Sequence, residues 1–210
     1  MSAPTDTETE EVAADPRRAA PGIAAAAPAM PVRFPPGVAG KRRKPWLARR
    51  RALRGTVTAM IDLASAHLPE VVDLWVESWR RTLPHIDFDA RRGWLVDHLE
   101  EARAKGAVVR LAVVGTGEIA GFVLIDPASG YLDQIAVHPE FWGGGVAEVL
   151  LDEARRWSPQ RIVLDVNADN PRAVAFYVRQ GFGEIGRGVN PRSGLATLKL
   201  EWRAGETSGT

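Results

Sequence analysis

Three consecutive glycines, Gly143, Gly144 and Gly145, stand in VHPEFWGGGVAEVLL (137–151), between an extended-looking segment and an amphipathic one. Glycines at such a junction either let the backbone turn tightly or let an anion reach it with no Cβ in the way. A helix start adds unpaired N–H groups at the positive end of its dipole, so the combination suits a phosphate. Three glycines also cost more conformational entropy than a simple turn requires. A nucleoside-triphosphate loop continues with lysine and then serine or threonine, whereas here the sequel is VAEVL. Groups able to move protons are few: two tyrosines, four histidines and no cysteine in 210 residues. Tyr131 and Asp133 alternate along one short segment, so an extended backbone places both on one face. His138 closes that segment with an unperturbed pKa suited to neutral pH, although Val-His-Pro reads equally as a strand exit. His98 falls on an apolar helical stripe and is expected to pack. Tyr177, from spacing alone, reads as a helix tyrosine lying on a sheet. Asn170, before Pro171, is placed to cap a helix. No His, Asp or Glu cluster has metal-ligand spacing, and without cysteine neither a disulfide nor a thiolate metal site can form.

The elements that must position these groups follow from periodicity and punctuation. TVTAMIDLA (56–64) is a first strand, and Leu68, Val71, Val72, Trp75 and Trp79 then recur at helical spacing. DFDARRGWLVDHLEEARAKG (87–106) is a second helix, with Asp87 or Asp89 to cap it and Gly106 to stop it. AVVRLAVV (107–114), EIAGFVLI (118–125) and YLDQIAVH (131–138), separated by GTG and DPASG, form an antiparallel meander. A helix follows the glycines. RIVLDVN (161–167) is a strand and NPRAVAFYVRQG (170–181) a helix closed by Gly181; FGEIGRGV and ATLKLEW make a final pair around NPRSGL. The order β-α-α-β-β-β-α-β-α-β-β is a mixed α/β single domain. A dinucleotide fingerprint would follow the first strand of a parallel unit, not the third strand of a meander.

Charge divides the chain. Residues 1–40 are Ala/Pro-rich, carry three basic and five acidic side chains, and are expected to be disordered. Residues 41–55 contain KRRKPWLARRRALR, with eight basic residues and no acid, and read as a basic linker. From Gly55 onward there are 16 basic and 21 acidic residues. The domain is expected over 56–203, with a flexible tail at 204–210. The N-terminus begins with acids, unlike a signal peptide, and no apolar run reaches the ~20 residues of a membrane span, so a cytoplasmic protein is expected. The basic run could hold nucleic acid or an anionic membrane through charge, but a solvated linker is the commoner outcome.

Two segments together resemble a known family. Pro139 is followed by EFWGGGVA, and one strand later comes NPRAVAFYVRQGF (170–182). These are similar to the Gln/Arg-x-x-Gly-x-Gly/Ala loop and the Asn-x-x-Ala-x-x-Phe-Tyr-x-x-x-Gly-Phe segment of the GCN5-related N-acetyltransferases (GNAT). Trp142 takes the Gln/Arg position, Gly145 the fixed glycine and Ala147 the final Gly/Ala. Trp142 is the departure, since an indole accepts no hydrogen bond. The resemblance covers about residues 56–203.

It implies a mostly antiparallel mixed sheet of about seven strands flanked by four helices, with strands 4 and 5 splayed. It implies acetyl-CoA as co-substrate and no metal. The pyrophosphate would lie on the loop Trp142, Gly143, Gly144, Gly145, Val146 and Ala147. The pantetheine arm would meet the backbone of Ile135, Ala136 and Val137 and the side chain of Asn170. Tyr177 would protonate the leaving thiolate. Asp133 would take the amine proton, directly or through water, or bind a cationic substrate. The expected reaction is direct attack by a primary amine, on a small molecule, peptide or protein, in a ternary complex. The alternative is a non-catalytic acyl-CoA-binding module or sensor of the same fold. A homodimer is compatible with either.

Overall fold

The computed structural model describes residues 56–205; the expectations for 1–40, 41–55 and the end of the C-terminal tail lie outside them. The chain runs β1 (Val57–Asp62), α1 (Leu68–Thr82), α2 (Arg92–Ala104), β2 (Val108–Val114), β3 (Ile119–Asp126), β4 (Tyr131–Val137), α3 (Val146–Trp157), β5 (Arg161–Asn167), α4 (Pro171–Arg179), β6 (Gly183–Val189) and β7 (Ala196–Arg203). The expected seven strands and four helices are present, in the expected order. The second helix starts later than its cap residues suggested. Asp87 accepts from Ala90 N (3.2 Å) and opens a 3-10 turn over Asp89–Arg91, while Asp89 is drawn into ion pairs with Arg80 and Arg92. The first strand stops at Asp62, short of residue 64.

The sheet order is β1-β2-β3-β4-β5-β7-β6. Every neighbouring pair is antiparallel except β4 and β5, which run parallel. On its far side β5 is in register with β7 along its whole length, from Arg161↔Arg203 to Asn167↔Thr197. Towards β4 it has one register pair, Tyr131↔Val163. Val163 N donates to Gly130 O at 2.9 Å at this closed end, and beyond it the strands part, as the splay expectation required. Gly130 has φ 72°, and a Cβ there would stand 2.5 Å from the Arg161 carbonyl oxygen.

A second irregularity lies on the other edge of β4. The β3–β4 register passes from Leu124↔Gln134 to Ile125↔Leu132, so Asp133 is one residue too many. Such a bulge turns two successive side chains to the same face. Asp133 and Gln134 accordingly both reach the helices of one face: Asp133 meets His98 of α2, and Gln134 meets Trp75 of α1.

The core is two-layered. On one face α1 buries Val71, Val72, Leu74, Trp75, Val76 and Trp79, whereas α2 fully buries only Leu95 and Leu99. They pack on Leu111, Phe122, Leu124 and Ala136 of the sheet. Trp79 and Phe88 are buried core residues with stacked rings 5.2 Å apart. On the other face α3 and α4 cover Val123, Ile135, Val137, Leu164 and Val166. Helix α4 ends in a Schellman turn: Gly181 (φ 86°) N donates to Val178 O and Phe182 N to Tyr177 O, both at 3.0 Å.

Gly130→Ala should therefore destabilise the protein by about 1–3 kcal/mol, as an added group is forced against fixed backbone. Urea denaturation checks this; an unchanged midpoint would show that the closed end of the gap has room to spare.

Candidate active site

On the α1/α2 face, α2, the start of β4 and the loop between β6 and β7 enclose a cavity of about 770 Å³. Its carboxylates are Asp97, Glu101, Asp126 and Asp133, facing Trp94, His98, Tyr131 and Arg192. Glu101 is paired with Lys105 at 2.5 Å. Arg192 lies over the Trp94 ring, 4.2 Å from its centroid, where burial lowers its pKa. The remaining charge favours a cation.

Asp133 has two side-chain partners. Its Oδ1 faces His98 Nε2 at 2.8 Å and accepts from Gln134 Nε2 at 3.0 Å. Gln134 Oε1 in turn accepts from Trp75 Nε1 at 3.1 Å, and the chain of contacts ties α1, β4 and α2 together. Side-chain exposure is 13% for His98 and 15% for Asp133, so the pair is desolvated yet open to the cavity. His98 stacks on Trp94, with centroids 4.7 Å apart.

The expectation that His98 merely packs is corrected here. The bulge lifts Asp133 onto the helix edge where His98 stands, and 35 residues of sequence separation hid the pair. Tyr131 OH donates to Asp165 Oδ2 at 2.9 Å. Burial first, then the charges of Asp165 and Asp133, raise its pKa, so the phenol stays protonated at neutral pH. His138 supports the backbone instead of the cavity. Its Nδ1 accepts from Glu140 N at 3.3 Å and caps the turn Pro139–Phe141.

The glycine loop lies on the opposite face. It opens a second cavity of about 280 Å³ lined by Val137, Trp142, Gly143, Gly145, Val146 and Arg172, among others. Gly143 (φ 74°) and Gly145 (φ 85°) are left-handed, and nothing stands within 4 Å of a Cβ built on Gly145. Helix α3 starts at Val146, so its first N–H groups, those of Val146, Ala147 and Glu148, have no partner within the helix. Gly144 N is taken by Phe141 O at 3.1 Å.

Trp142, the departure from the family pattern, has two contacts. Its indole Nε1 donates to Val137 O at 2.7 Å and fixes the end of β4. Its ring carries the Arg172 guanidinium 5.9 Å from the centroid. Arg172 Nη2 is buried with no hydrogen-bond partner among the described residues, and burial lowers its pKa. The positive side chain missing from the loop is thus present on α4. A half-buried guanidinium with no ion pair among the described residues, beside open left-handed glycines and helix N–H groups unpaired within the helix, fits a phosphate-bearing ligand.

Ile135, Ala136 and Val137 are buried, and each is in register with β3. Asn170 is the N-cap of α4, its Oδ1 accepting from Ala173 N at 3.1 Å. Tyr177 is fully buried beside Phe176 and Phe182. The structure therefore brings Asp133 together with His98 on one face and gathers the loop residues on the other. Tyr177 stands in the core behind the second cavity. Among the described residues no group of His, Asp and Glu could hold a metal ion, and no helix is long and apolar enough to cross a membrane.

The model of the acetyltransferase (GNAT) family matches residues 68–182. Peptidyl-lysine N-acetyltransferase YjaB of Escherichia coli is 28% identical over 118 residues, covering 56% of this chain and 77% of that protein. The solution structure of apo YjaB superposes with TM-score 0.56 and 25% identity, over 72% of this chain and 98% of that one. A phosphinothricin acetyltransferase from Sinorhizobium meliloti, solved with AcCoA, has TM-score 0.58 and 18% identity, over 74% and 92% of the two chains.

Arg172→Ala should weaken CoA binding about tenfold or more, the loss of one charge-assisted contact. Isothermal titration measures it; unchanged affinity would show that the guanidinium does not face the phosphates.

Proposed function

We propose that this chain, which belongs to the acetyltransferase (GNAT) family and is an N-acetyltransferase, moves an acetyl group from acetyl-CoA to a primary amine by direct attack within a ternary complex. One observation carries the reading. The glycine-loop cavity and the carboxylate cavity lie on opposite faces of the sheet, and β4 and β5, in register only at Tyr131↔Val163, part beyond that point. A long, thin ligand arm held at one face can thus present its end to the other.

Acetyl-CoA supplies an activated acetyl carbonyl on a thioester. The residues that would hold it are the N–H groups of Gly143, Gly145, Val146 and Ala147, the Arg172 side chain, the open backbone edge of β4 at Ile135 and Ala136, and Asn170. The ammonium first gives up one proton to expose its lone pair; the lone pair then forms the C–N bond as the C–S bond breaks, and the nitrogen loses a second proton while the thiolate gains one. We assign the nitrogen's proton loss to the Asp133–His98 pair. A carboxylate at 2.8 Å from an imidazole stabilises the imidazolium that forms when the ring takes a proton. The thiolate's proton is assigned to Tyr177, whose hydroxyl is wholly buried. With no cysteine in the chain, a thiol-bound acyl-enzyme is not a route. Holding both substrates together supplies much of the rate through orientation.

The acceptor we propose is an alkyl ammonium, on a lysine side chain of a peptide or protein or on a small molecule of like shape. The aromatic walls Trp94 and Tyr131 suit the methylenes, and Asp97, Asp126 and Asp133 suit the charge. The lysine specificity in YjaB's name supports this choice.

A lysine-like amine has a pKa near 10.4, so a base is needed at pH 7 and progressively less so as pH rises. Asp133→Asn and His98→Ala should each reduce kcat/KM about 10²–10⁴-fold at pH 7. Because the variants depend on amine already neutral in solution, the deficit should shrink by about tenfold per pH unit towards the amine pKa. An equal deficit at about pH 7 and about pH 9.5, measured by thiol release, would remove the pair from proton transfer.

A further inference from the structure

Asn167, the last residue of β5, is 2% exposed, and neither its Oδ1 nor its Nδ2 has a hydrogen-bond partner among the described residues. Buried side-chain amides are almost always bonded, because leaving both ends unmet forfeits their hydration for nothing. A strand end that could have closed with a valine instead retains a whole unsatisfied amide.

Its place in the sheet says what would satisfy it. Side chains alternate along β5: Ile162, Leu164 and Val166 join the α3/α4 core, so Asp165 and Asn167 turn to the α1/α2 face. Asp165 confirms the parity, since it accepts from Tyr131 OH at the closed end of the gap. Asn167 lies four residues beyond Val163, the last point of register with β4, while its other neighbour is Thr197 of β7. It thus stands on the open side of the gap, on the face of the Asp133–His98 pair and not on the face of the phosphate cradle.

We infer that the Asn167 side chain is a catalytic amide that receives the reacting centre, Nδ2 donating to the acetyl carbonyl oxygen and Oδ1 accepting an N–H of the attacking amine. The inference rests on the acetyl-transfer reading above. An amide bears its acceptor and its donor side by side on one carbon. As the new C–N bond forms, the substrate's oxygen and nitrogen also stand side by side on one carbon, with complementary needs: the oxygen gains the electron pair of the C=O bond and the nitrogen becomes a stronger donor. The pair on oxygen returns as the C–S bond breaks, and the nitrogen's proton leaves to Asp133–His98, so Asn167 gains and loses no proton. An amide with no partner among the described residues does not have to break a bond to them to do this, which is what a preorganised donor requires.

The test uses the full chain with Asn167→Leu, which is near in shape but apolar, and Asn167→Asp, which keeps the acceptor and loses the donor. CoA and acetyl-CoA, identical but for the acetyl carbonyl, are titrated into each protein. In both variants acetyl-CoA affinity should fall about fivefold or more while CoA affinity stays unchanged. The thermal midpoint of the ligand-free Leu variant should not fall, since no protein partner is lost. Turnover with a lysine peptide should fall about 10²–10³-fold. Equal weakening of both ligands would mean that Asn167 holds the arm; no change in either, or a lowered midpoint in both variants, would equally overturn the inference. If the unsubstituted protein binds neither ligand, the acetyl-transfer reading itself fails, and this inference with it.

Discussion

A sheet gains its stability from closing hydrogen bonds between neighbouring strands, and this one forgoes them in its middle. β4 and β5 meet once, at Tyr131↔Val163, and then separate. Unpaired backbone inside a fold is unfavourable, so the opening has to be held from outside. β5 is kept straight by its full-length ladder with β7, and β4 by its ladder with β3. The closed end is fixed by Gly130 against the Arg161 carbonyl and by Tyr131 OH on Asp165. At the open end Trp142 takes the Val137 carbonyl. Each device lies at one end of the gap, and its centre is left for a ligand.

The two faces then diverge in character. The α3/α4 face offers groups that attract anions: free helix N–H groups, left-handed glycines and an uncompensated guanidinium. The α1/α2 face offers carboxylates and aromatic rings, which attract an alkyl ammonium. Opposite charge preferences on opposite faces would orient an anionic and a cationic ligand without any domain movement. The chain of contacts Trp75–Gln134–Asp133–His98 registers the acceptor helices against the strand on which the reaction is placed.

Local features of the fold were readable because they depend on neighbouring residues. The glycine loop, the helix cap at Asn170 and the stop at Gly181 are each set within a few positions, and the meander follows from alternation and turn residues. What the sequence concealed depends on tertiary position. His98 has helical spacing that fits packing, and only the bulge at Asp133, a register slip with no compositional mark, turns it into a partner. Trp142 reads as a lost side-chain contact, and its ring contact with Arg172 crosses from the loop to a helix residue 30 positions on. Asn167 reads as one more polar residue at a strand end; only burial and the absence of a neighbour on β4 give it meaning.

The unequal anchoring of the helices has its own consequence. α1 presses six large apolar side chains into the core, and α3 is sunk almost as deeply, whereas α2 is fastened by Leu95 and Leu99 and by contacts at its polar edge. Local opening free energy follows buried apolar area, so α2, which walls the carboxylate cavity, opens more readily than α1 or α3. The glycine-loop side is the more firmly packed and the α2 side the more loosely fastened. Such a division fits an enzyme whose one substrate is always the same molecule and whose other is a flexible chain end arriving in varied surroundings.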